Sequence, residues 1–206
     1  MFSIPMALVD FIPVILFGMA IFLLQKNLYN KMSKGAYALF CAGTIDVFLA
    51  GVLKAIYKLL YALNVCDFER LNSLFFPLQA IGFVMAGMAM LCMMYLPQSK
   101  NKALVVAPAV FSGTMIFVVL MILGLFGMDL SLGMLAKKMK KKGLIVCFVI
   151  SFIFSLMMGY LSSKDFTVSY MNWAAELVNI VGQGTLYIGV KSLDKNGLND
   201  LEIKEN

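Results

Sequence analysis

A chain of 206 residues with 62% hydrophobic and 14% charged side chains and a mean hydropathy of +0.90 lies far from the soluble average of about 25% charged residues. So much apolar surface cannot be hidden in a water-soluble fold of this size, and the composition predicts an all-α integral membrane protein of about six transmembrane helices. The net charge of +6 does not point to nucleic acid, because the lysines flank apolar runs and no basic surface is interleaved with stacking aromatics.

The chain has no histidine, which excludes histidine-containing zinc sites and serine triads. Cys41, Cys66, Cys92 and Cys147 are scattered without CxxC spacing and read as small hydrophobes. Neither a GxSxG elbow nor a Walker A loop is present, no metal or cofactor is expected, and the pattern argues against an enzyme.

The first predicted span covers residues 6–25 and carries Asp10 and Pro13; without a basic n-region it reads as a span rather than a cleaved signal. The second, 36–60, holds Asp46 near its centre and Lys54 and Lys58 toward its end. Asp46 and Lys54 are eight residues apart, about 12 Å along a helix, so neither serves the other. Lys58 is expected to snorkel to the interface, and Lys54 to do the same or to pair with Asp10 across the first two helices. Asp46 has no such route and is the better functional candidate.

The third span, 73–96, sets Gln79, Gly82 and Ala86 at helical spacing, a small-residue pattern that permits close helix approach. The fourth is expected at 103–127, with Pro108 inside it. From Asp129 the chain reads as a loop or short interfacial helix, Ser131 to Ala136, leading to Lys137, Lys138, Lys140, Lys141 and Lys142, which would meet anionic lipid headgroups. The fifth span is placed at 143–162 and the sixth at 168–190. A polar tail, 194–206, follows the single transmembrane domain of residues 1–193.

Trp173, Glu176, Asn179, Gln183 and Tyr187 recur every three or four residues along the sixth span and mark one helix stripe. A carboxylate inside a span costs on the order of 3 kcal/mol on insertion scales, so the stripe should face protein or water. It is either a hydrogen-bonded seam or a binding site.

The basic residues, nine against six, favour both termini in the cytoplasm of a cell (inner) membrane. The halves echo each other. Pro13 and Gly18 match Pro108 and Gly113 at an offset of 95, Lys34, Gly35 and Gly51 match Lys142, Gly143 and Gly159 at 108, and Gln79 and Gly87 match Glu176 and Gly184 at 97. Taken as real, with three spans per unit, the echo describes an inverted 3+3 repeat.

The sequence thus reads as a small carrier or permease component. A small solute would lie between two three-helix halves, held by Asp46, Gln79, Glu176, Asn179 and Gln183. The alternative is a membrane scaffold, sensor or regulatory subunit whose polar stripe packs against a membrane protein partner.

Overall fold

The computed structural model describes residues 3–95, 114–161 and 169–202. These residues form α1 (Ile4–Val9), α2 (Phe11–Leu28), α3 (Lys34–Ala62), α4 (Glu69–Ser73), α5 (Phe75–Tyr95), α6 (Thr114–Lys138), α7 (Ile145–Leu161) and α8 (Ser169–Lys195), with short 3-10 turns at Lys142–Leu144 and Leu198–Asp200. Five stretches are long and apolar enough to cross a membrane: Ile4–Leu28, Lys34–Ala62, Glu69–Tyr95, Ile116–Lys138 and Lys142–Leu161. α8, the sixth expected span, is 27 residues long but too polar to join them, because its inward stripe carries the carboxylate and amides.

Local chemistry sets the first helices. Ser3 accepts a hydrogen bond from the Met6 N–H and Pro5 occupies the first turn, both favourable at a helix start. Pro13 has no N–H to offer the Val9 carbonyl four residues back, and α1 gives way to α2 at Asp10. Ser33 caps α3 by accepting from the Ala36 N–H.

The long helices form a closed ring in chain order, α2, α3, α5, α6, α7 and α8, with α8 packing back on α2. Outward faces are apolar at helical spacing, as at Leu8, Ile12, Ile15, Met19 and Phe22. Glycines bring α3, α5 and α6 into backbone contact. A Cβ at Gly43 would stand 2.5 Å from the Gly82 carbonyl oxygen, and one at Gly82 would stand 2.6 Å from that of Gly43. Gly87 and Gly124 meet in the same manner.

Helix directions follow from these contacts. Gly43 and Val47 of α3 meet α5 in descending order, so that pair is antiparallel, but Phe83, Gly87 and Leu91 of α5 meet Gly124 and Gly127 of α6 in ascending order. The Tyr95 hydroxyl reaches the Met134 sulfur farther along the same pair. α5 and α6 therefore run parallel. So do α2 and α8, since Leu16 lies beside Gly184 and Asn27 bonds Asp194.

Three expectations change as a result. The first concerns the chain ends: Ser3 and Glu202 lie at opposite ends of the bundle. The fourth span was expected at 103–127; residues 96–113 lie outside the described part, and the helix continues to Lys138, with Ser131, Leu132, Leu135 and Ala136 buried. That segment is a packed helix end rather than an interfacial helix, and its buried side chains keep the three- and four-residue spacing of a helix face.

The third change concerns the echo. α2-α3-α5 and α6-α7-α8 each run up, down, up, and their interfaces correspond. Gly51 on Val14 maps to Gly159 on Ile122, and Gly43 on Met85 to Ser151 on Gly182. Gly87 on Gly124 maps to Gly184 on Leu16. One shift of 108 positions for the first two helices of each half and 97 for the third relates all three pairs. The relation preserves helix direction and ring order among the described residues. Pro108 and Gly113, which carried the offset of 95, lie outside the described residues.

The polar C-terminal stretch is tied down as far as Glu202. The Asn27 side-chain amide donates to Asp194 at 2.7 Å, and the Lys31 ammonium donates to the Asn199 carbonyl at 2.9 Å and to that of Leu201. Leu198 is fully buried. Burial lowers the Lys31 ammonium below the ordinary lysine value, an effect opposed by nearby Asp200 and Glu202.

Candidate functional site

Within the ring lies a cavity of about 280 Å³ to which every long helix contributes. Its aromatic walls are Phe17, Phe48, Phe75, Phe76, Phe83 and Phe154, and Asn72, exposed on α4, stands at one edge. The polar lining is concentrated toward the end of the bundle where α2 and α8 begin.

There, three charges meet. The Lys58 Nζ lies 3.0 Å from Asp10 Oδ1 and 2.6 Å from Glu176 Oε1, and all three residues are buried, at 7%, 6% and 3% exposure. One ammonium thus joins the first, second and last long helices. The break before α2 carries Asp10, the penultimate turn of α3 carries Lys58, and the second turn of α8 carries Glu176. In a low-dielectric interior such a bridge holds because each charge keeps a partner; removing one leaves another uncompensated.

Lys54, one turn before Lys58, also lines the cavity. Its ammonium stands 3.9 Å from the centre of the Phe75 ring, a favourable cation–π position. It forms neither a hydrogen bond nor an ion pair within 4 Å among the described residues. Opposite charges are therefore unevenly distributed: Lys58 holds two carboxylates and Lys54 holds none. Two buried acceptors, Glu176 Oε2 and Gln183 Oε1, lack hydrogen-bond donors.

Of the residues expected from the sequence, Gln79, Glu176, Asn179 and Gln183 line the cavity together with Asp10 and Lys54. Asp46 does not. It sits half-buried on the flank of α3 beside the exposed Ile45 and Leu49, one position out of phase with the inward Val47. The expected Asp10–Lys54 pair forms instead with Lys58, which is buried rather than snorkelling, because Asp10 lies level with the last turns of α3.

The α8 stripe is also rotated from its expected position. Asn172, Glu176, Asn179 and Gln183 point inward, whereas Trp173 is 38% exposed and Tyr187 packs on the core edge with Lys191 5.3 Å from its ring. Sequence reasoning missed Lys58 and Asn172. A usable signal was present: two carboxylates in apolar surroundings, Asp10 and Glu176, require a cation, and Lys58 shares the helix face of Lys54.

Asp129 was missed as well. It is 5% exposed within α6, and neither carboxylate oxygen has a hydrogen-bond partner among the described residues. It does not line the cavity. No group of three or more potential metal ligands occurs among the described residues.

No protein-family model, curated protein or solved structure matches the chain. The site is therefore read from its own geometry.

Proposed function

We propose that the chain is a membrane-embedded carrier that binds a small solute between its two three-helix halves. The observation that supports this reading most strongly is the cavity itself: it is walled by both halves, charged and aromatic, and closed at one end by packed side chains. Beyond it, Leu24, Leu28, Met90, Met128, Leu132 and Leu186 are fully buried. Pockets that hold small molecules combine apolar walls with a few placed polar groups in this manner, and a packing seam would leave no such space.

Orientation follows from the helix directions. Lys26, Lys31, Lys34, Lys137, Lys138, Lys140, Lys141, Lys142, Lys191 and Lys195 gather at the closed end, whereas Arg70 stands with Asp67 and Glu69 at the other. On the positive-inside rule the closed, lysine-rich end is cytoplasmic, its lysines meet anionic headgroups, and the cavity faces outward. The solute site then comprises Lys54, Gln79, Glu176, Asn179 and Gln183.

The test is a thermal-unfolding screen of the detergent-purified protein against neutral, cationic and anionic small solutes, run beside Val178→Trp, which fills the cavity. Solutes that stabilise the parent chain and not the filled variant support the site and proceed to proteoliposome uptake. Equal stabilisation of both proteins refutes it.

A further inference from the structure

Resting on the proposed solute site, the charge arrangement assigns its ligand class: we infer that the cavity binds a small carboxylate with an apolar or aromatic body, and that each bound anion brings one proton with it.

The charged groups facing Glu176 are few. α2 contributes Asp10, α3 contributes Lys54 and Lys58, and α5, α6 and α7 contribute no charged side chain to the described lining. Two ammonium groups and two carboxylates sum to zero. The neutral total is nevertheless divided, because Lys58 lies within 3.0 Å of both carboxylates while Lys54 has them only at longer range and stands over the Phe75 ring. An anionic head group is the partner Lys54 lacks, and the phenylalanine walls next to it suit an apolar body. A cationic head group would meet Lys54 first and be repelled.

Adding that anion leaves the enclosed cluster one negative charge in excess, a costly state away from water. The structure offers one place to correct it. Glu176 Oε1 is held by Lys58, but Oε2 is buried without a donor. A proton taken from solvent onto Oε2 restores neutrality and turns an unsatisfied acceptor into an O–H donor. No covalent bond other than this O–H forms, and the ligand keeps its charge. Linkage then fixes the sign: binding coupled to proton uptake tightens as pH falls, by about tenfold per pH unit where one full proton is taken up.

The experiment is calorimetric titration of the full chain in detergent with benzoate, hexanoate and 3-phenylpropanoate, each paired with its neutral amide. Every binding acid is measured near neutral pH in two buffers of different ionisation heat. At least one acid should bind about tenfold or more tightly than its amide, with uptake of about one proton. Lys54→Met should reduce the acid to the affinity of the amide, and Lys54→Arg should retain the preference. Glu176→Gln should abolish the uptake.

Failure of all three acids to bind overturns the inference, as does equal binding of acid and amide, an unaffected Lys54→Met, or acid binding without uptake in the parent chain. The parent-chain measurements decide the matter even if a variant does not fold. Amides or other neutral solutes that bind the parent and not Val178→Trp would leave the carrier reading standing while this one falls.

Discussion

Toward the end where α2, α5, α6 and α8 begin, the helices stand apart around charge; toward the end where they finish, the same helices close on leucine and methionine. The open half contains Asp10, Lys58 and Glu176, each with a partner. The closed half contains Asp129, with none among the described residues. Buried charge is therefore tolerated for different reasons at the two levels. In the first it joins three helices, and in the second it is a local cost borne by surrounding packing.

Removing the central ammonium should have the largest effect. Lys58→Met leaves two buried carboxylates unpaired and should destabilise the protein by about 3–5 kcal/mol, read as lost thermal stability in detergent. Adding Asp10→Asn and Glu176→Gln should recover most of it; if the triple variant is no better than the single one, the bridge is not what the lysine stabilises.

Away from the charges the corresponding damage is steric. Gly124→Leu drives a side chain into the α5 backbone at Phe83 and Val84, and overpacking of this kind costs about 1–3 kcal/mol or more. Gly143→Leu, where a Cβ meets nothing within 4 Å, should be near neutral in the same unfolding assay.

Asp129→Leu should raise stability by about 1–3 kcal/mol, because it removes a buried group without partners. A loss of stability would show that Asp129 is satisfied by a group or water it depends on, and the contrast between the halves would vanish. The smallest effect on the fold, and the clearest on topology, comes from labelling. Cys66 is exposed on the connection between α3 and α4 at the open end. An impermeant maleimide applied to intact cells should label it and should not label a Lys140→Cys variant made in a Cys66→Ser background. The reverse pattern would invert the orientation.

Composition made the helical, lipid-compatible character legible, and hydropathy found five long helices within a few residues of most boundaries. The polar face of α8 was legible because a carboxylate and amides at helical spacing stand out in apolar surroundings. Asp129 followed by a lysine cluster was misread because hydropathy scores residues singly, whereas Leu132, Leu135 and Ala136 continue the buried face beyond the charge. Lys58 could not be assigned from one helix, since its partners lie 48 and 118 positions away. Counting spans presumes that successive helices alternate, and the parallel contact of α5 with α6 breaks that presumption.

Closure of the ring by α8 on α2 also has a consequence for synthesis. Asp10 and Lys58 are both present once the first three-helix half has been made, so their pair can form before the second half exists. Glu176 arrives last, and with it Asp194, which reaches back 167 positions to Asn27. Until that final helix docks, the chain is an open crescent with one face of its future cavity uncovered. A ribosome stalled before residue 169 would hold such a crescent, and its neutral Asp10–Lys58 pair is what would let it wait there.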